Sequence, residues 1–177
     1  MADAGRIVRR FLDAIYDLAG ALAAFCLVAI LVVITLQVAA RWLGIPFHGS
    51  SEYAGYFMAA ASFLAFAHTL NRGGHIRVGL LLNALGVRRF WGELWCLVIA
   101  SLATSYLAWY AVRTVYWSWR LNDVSQGQDA TPLWMAQAPM AAGAVILAVC
   151  FVDNLVTLAL TRRDNIHAEL SAETRTE

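Results

Sequence analysis

Four stretches of the chain are apolar for nearly their whole length, and the polar residues gather between them. Residues 18–40 contain no Asp, Glu, Arg or His. Residues 53–70, YAGYFMAAASFLAFAHTL, carry one histidine near their end. The third stretch centres on LWCLVIASLATSYLAWYAV and continues helically toward Trp91 and Trp119, which sets a span over about residues 92–116. The fourth, residues 133–160, holds one acid, Asp153. A helix of about 20 residues crosses the hydrocarbon of a bilayer. Backbone groups in lipid must bond within the segment, so runs of this length are expected as helices. The apolar-out, polar-in alternation of a membrane barrel is absent. The pattern predicts an all-α integral membrane protein with four transmembrane helices. They form a single domain over residues 1–165, followed by a polar tail over residues 166–177.

Composition supports a membrane protein. The chain is 177 residues long and 60% hydrophobic, with mean hydropathy +0.60, against about 45–50% apolar residues in soluble domains. A net charge of +1 gives no reason to expect a nucleic-acid partner. All 13 cationic side chains are arginine, and their placement sets an orientation. With the N-terminus inside, the cytoplasmic side holds Arg6, Arg9, Arg10, Arg72, Arg77, Arg88, Arg89, Arg162, Arg163 and Arg175. The other side holds Arg41, Arg113 and Arg120. This bias predicts that both termini are cytoplasmic. Aromatic residues agree: Trp109, Tyr110, Tyr116, Trp117 and Trp119 crowd the outer end of the third span, and Trp42 ends the first. The first apolar run exceeds the ~7–15 residues of a signal-peptide core, so it is expected to remain as a span.

The linker NRGGHIRVGLL, residues 71–81, breaks this pattern. Gly73 and Gly74 permit a sharp turn. From Ile76 onward, apolar residues alternate with Arg77, Arg88 and Arg89 in a manner that predicts a short cytoplasmic interfacial helix between the second and third spans. The glycines lack the spacing of a phosphate-binding loop, and no Lys-Ser/Thr follows them.

Chemistry for catalysis is sparse. There is no Gly-x-Ser-x-Gly, no His-Glu-x-x-His and no carboxylate pair arranged for acid–base work, so no enzyme is expected. Cys26, Cys96 and Cys150 lie in apolar stretches without disulfide or zinc spacing and read as buried small hydrophobes. A haem would need imidazoles facing each other from different helices, and only His68 lies within a span. Asp153, as a lone intramembrane acid, is either a cation or proton site or a carboxylate bonded to a neighbouring helix or partner subunit. The absence of a second carboxylate favours the latter.

The segment LQVAARWLGIPFHGSSEYAGYFMAAASFLAFAHTLNRGGHIRVGLL resembles the small, Q-type membrane subunit of tripartite ATP-independent periplasmic (TRAP) transporters. The matching positions are Gln37 and Val38, then Arg41 and Trp42. Glu52 opens the second helix, and Arg72, Gly74, His75, Ile76 and Val78 follow it. Pro132 and Pro139 fit the approach to the fourth helix, and the resemblance runs from about Ile7 to Leu160. Gly79 stands where the family often has Asp.

The resemblance implies a partner-dependent role in the bacterial inner membrane. The small subunit would brace a large multi-span membrane subunit, which carries the substrate and ion sites. A periplasmic binding protein delivers the solute, typically a carboxylate taken up with sodium, and no cofactor is expected in the small subunit itself. The alternative is a self-contained four-helix transporter or channel. Five residues are candidates for subunit or lipid interfaces: Arg41, Glu52, Arg72, His75 and Asp153. Arg72 and His75 either tie the turn to headgroups or to the large subunit, or are solvated turn residues. Arg41 and Glu52 flank the loop WLGIPFHGSS. They could clamp two helix ends as an ion pair. Alternatively, Arg41 could contact the large subunit or the binding protein, or snorkel at the interface.

Labelling of single cysteines is expected to place residues 125–128 outside and Arg88 and both termini inside. An external Arg88 would overturn the charge argument.

Overall fold

The computed structural model describes residues 2–45, 47, 49–71, 89–127 and 130–161. Within these residues the chain forms four helices: α1 (Ala2–Trp42), α2 (Ser50–Asn71), α3 (Arg89–Arg120) and α4 (Leu133–Thr161). No strand is present among the described residues, only an isolated antiparallel bridge between Val124 and Pro132. Arg72, His75, the expected interfacial helix and the tail over residues 166–177 lie outside the described residues.

Residues 9–42 of α1, residues 90–120 of α3 and residues 133–159 of α4 are long and apolar enough to cross a membrane. Helix α2 has the length, 22 residues or about 33 Å at 1.5 Å per residue, but falls short in hydropathy. Ser50, Ser51, Glu52, Ser62, His68, Thr69 and Asn71 account for this. Helix α1 is much longer than a span requires. It continues through Arg9, Arg10 and Asp13 because Leu12 and Ile15 on that extension pack against the core around Tyr16.

The chain reversals that follow α1 and α3 are capped by the backbone. At the end of α1, Gly44 takes φ 68°, Gly44 N donates to Arg41 O (3.3 Å) and Ile45 N donates to Ala40 O (2.9 Å). At the end of α3, Asn122 takes φ 51°, and Asp123 N donates to Ser118 O (3.0 Å). These are Schellman closures, which satisfy the last carbonyls and require a left-handed residue, Gly or Asn.

The helices stand in a row in the order α1, α2, α4, α3. Small side chains set this order. Cys26 of α1 meets Ala60 and Ala61 of α2, and Ala19 and Ala23 meet Leu64. Tyr16 of α1 reaches Ala67 and Leu70 of α2 and Leu147 and Cys150 of α4. Ala144 and Ala148 of α4 pack with Ala108 of α3, with Phe63 of α2 closing the cluster. The closest approach is at Gly143, where an added Cβ would lie 2.6 Å from the backbone carbon of Phe63. Without a hydrophobic drive between helices in lipid, such small-residue contacts are what allow dispersion to hold helices together.

The row places α2, the least apolar helix, between two others. Helices α1 and α3 stand at the ends and keep wide exposed apolar faces. Phe25, Leu31 and Leu36 on α1 and Trp95, Ile99 and Leu102 on α3 are all exposed. Cys26 and Cys150 are buried as expected, but Cys96 is exposed, because it lies on the outward side of α3.

Gly143→Ala is expected to force α2 and α4 apart and to destabilise the protein by about 1–3 kcal/mol. Gly55→Ala, where an added Cβ meets nothing within 4 Å, is expected to be neutral or stabilising. Thermal unfolding in detergent compares the two.

Candidate functional site

Among the described residues, two polar clusters interrupt the apolar packing, one near each end of α2. The first joins the start of α2 to the loop between α3 and α4. Helix α2 begins where Gly49 turns the chain at φ 72°, and Glu52 N and Tyr53 N donate to Gly49 O. Glu52 lies in the first turn, where the helix dipole favours a carboxylate. One helical turn separates Glu52 from Tyr56, so both reach the same side. Tyr56 OH donates to Ser125 Oγ (2.7 Å), and Gly127 N donates to the same oxygen (3.3 Å). Tyr53 OH lies 3.4 Å from Thr131 Oγ1. The Glu52 carboxylate occupies the space where a side chain on Gly127 would stand.

The loop that receives these groups is itself ordered. Ser125 N donates to Thr131 O (2.8 Å), and Leu133 N donates to Asp123 O (2.9 Å). Together with the Val124–Pro132 bridge they form a short hairpin-like clasp. The structure thus turns Glu52 toward Gly127, while Arg41 stands exposed at the end of α1. Arg113 and Arg120 of α3 are also exposed. Among the described residues, none of these three arginines pairs with a carboxylate.

The second cluster lies at the opposite end, where α1, α2 and α4 meet. His68 Nδ1 of α2 is 3.4 Å from the Asp17 carboxylate of α1, a long polar contact. Gly20 makes room for the imidazole, since a Cβ there would lie 2.7 Å from His68 Cγ. Asn154 Nδ2 donates to Cys150 O (2.8 Å), and the Cys150 thiol points at Ala67 O (3.8 Å). Asp153 is half-buried, with Arg9 and Asp13 of α1 within electrostatic reach. It also lines a groove of about 420 Å³ between α3 and α4, formed with Ser105, Ala148, Val149, Val152 and Val156. The described residues contain no group of three or more His, Cys, Asp or Glu side chains placed to hold a metal ion.

Several of these groups were not singled out in the sequence. Tyr56, Ser125 and Gly127 carry no motif, and their meeting depends on which helices are neighbours. The Asp17–His68 contact had a partial signal: an acid at the edge of the first span and the only histidine inside a span.

Residues 30–161 match the family model for tripartite ATP-independent periplasmic transporters, DctQ component. The chain belongs to this family. The match covers well over half of the chain, including α2, α3, α4 and the last third of α1. No curated protein and no solved structure matches the chain. The family is one of transporter components, not of enzymes, and its transporters also contain a large membrane component and a substrate-binding component. Membership and the membrane-length helices together make the chain an inner-membrane transport protein.

Tyr56→Phe is expected to cost about 0.5–1.5 kcal/mol, and Ser125→Ala somewhat more, because it removes the acceptor of both Tyr56 OH and Gly127 N. Gly127→Ala should displace Glu52 and speed proteolysis within residues 121–132. Wild-type cleavage of Gly127→Ala would mean that Glu52 does not hold the loop.

Proposed function

We propose that this chain is the small permease subunit of a TRAP-type secondary transporter. It braces the large transport subunit during binding-protein-dependent, sodium-coupled uptake of a carboxylate-type solute. The open row of helices carries this reading. A four-helix protein working alone would be expected to line a polar path, whereas here the polar contacts between elements sit near the two ends of α2. The apolar surface is instead left on α1 and α3 at the two ends of the row. Contiguous apolar surface of this kind suits lipid and a second membrane subunit. In this reading the chain has no catalytic role and no cofactor, and the ion and substrate sites belong to the large subunit.

The arginine asymmetry supports a four-span topology with both termini cytoplasmic. Helix α2 completes the four by running antiparallel to α1, shielded by α1 and α4 from much of the lipid. The clasp over residues 121–132 and Arg41 then face the periplasm, where the binding protein arrives. Arg41 offers a guanidinium there that pairs with no carboxylate among the described residues, suited to an acidic patch on the large subunit or the binding protein. At the cytoplasmic end, Asp153 acts structurally, holding the inner end of α1 through Arg9. Arg72 and His75 anchor the following turn to headgroups or to the large subunit.

Arg41→Ala separates bracing from docking. The expected outcome is intact co-purification with the large subunit and a weaker, salt-sensitive affinity for the binding protein. Unchanged affinity together with unchanged assembly would leave Arg41 as a snorkelling side chain and remove it from the docking surface.

A further inference from the structure

A groove of about 430 Å³ runs between α3 and α4 where the end of α3 meets the start of α4. Val112, Val115 and Trp119 of α3 form one wall, and Trp134 of α4 forms the other. Its floor is made of Ala138 and Ala141, whose small side chains leave the space open. From Val112 to Trp119 the wall is about 10 Å long at 1.5 Å per residue. The groove therefore accommodates part of an extended hydrocarbon chain lying parallel to the helices.

Its rim carries charge. Tyr116 lines the groove, and its hydroxyl accepts a hydrogen bond from Arg120 Nη1 (2.9 Å). The guanidinium is thereby fixed above an apolar slot by a neutral phenol, and no carboxylate pairs with it among the described residues. An arginine has five N–H donors in a planar fork, and one bond to tyrosine leaves donors available for the oxygens of a phosphate. Arg120 is in the last turn of α3, and Trp119 and Trp134 are near the ends of their helices. Such positions lie at headgroup depth in a spanning helix.

We propose that this groove is a binding site for one phospholipid, with an acyl chain along Val112, Val115 and Ala138 and the phosphate on Arg120. Apolar wall, small-residue floor and cationic rim follow one another in the same order as chain, glycerol and phosphate. The alternative occupant, an acidic segment of a protein partner, would use Arg120 but would have no need of the open floor beneath it. The site is independent of the clasp formed by Glu52 and Tyr56.

Native mass spectrometry of the full chain in detergent tests this, with titration by palmitoyl-oleoyl phosphatidylglycerol and by the diacylglycerol of the same chains. The phospholipid is expected to be retained as a single tightly held molecule, and the diacylglycerol at least about 10-fold more weakly, as loss of a charge-assisted hydrogen bond implies. Arg120→Gln should remove that difference. Ala138→Phe, which fills the floor and keeps the charge, should weaken retention of both lipids. Arg113→Gln should leave both unchanged, and unfolding midpoints confirm that each variant is folded. Equal retention of the two lipids by the wild type would overturn the proposal. So would unchanged phospholipid retention in Arg120→Gln. Lost co-purification with the large subunit, without any change in lipid retention, would assign Arg120 to a protein contact instead.

Discussion

The arrangement depends on one close approach, that of α4 to the backbone of α2 at Gly143. Lipid offers no hydrophobic reward for bringing two apolar helices together, so they associate through dispersion at short range and through a few polar contacts. Gly143 removes the side chain that would hold the axes apart, and Phe63 and Leu64 lie directly against it. The alanines of α1, α2 and α4 extend the same close packing on either side. A helix with the polarity of α2 is costly to leave alone in hydrocarbon. Held between α1 and α4, it exposes less of its length.

From that core the polar clusters acquire their meaning. Each lies near an end of α2, and each joins it to a different neighbour. At one end Glu52, Tyr53 and Tyr56 hold the α3–α4 loop, so the helix pair farther along the row is tied to the start of α2. At the other end the long Asp17–His68 contact links α1 to α2. Helix α2 is thereby joined to its neighbours near both of its ends. The exposed apolar faces of α1 and α3 lie on the outside of this row.

Much of the architecture was legible in the sequence because hydropathy and helix length are local properties. The apolar runs over residues 18–40, 92–116 and 133–160 each fall within a membrane-length helix. The extension of α3 to Trp119 followed from uninterrupted helical composition, and the long N-terminal extension of α1 did not, because Leu12 and Ile15 are stabilised by tertiary packing. Helix order was not legible: α4 lies between α2 and α3, and no local pattern encodes which faces meet. For the same reason nothing in the sequence placed Glu52 against Gly127, 75 positions later. The family motifs pointed to the correct protein class through residue order, a property that survives even where contacts are unknown.

The most direct test of the account is solute uptake into proteoliposomes containing this chain alone, the large subunit alone, or both, each with the binding protein and a sodium gradient. The account predicts no uptake by the chain alone and full uptake only when both membrane subunits are present. Sodium-driven uptake by the chain alone would contradict it, since a brace has no transport path of its own.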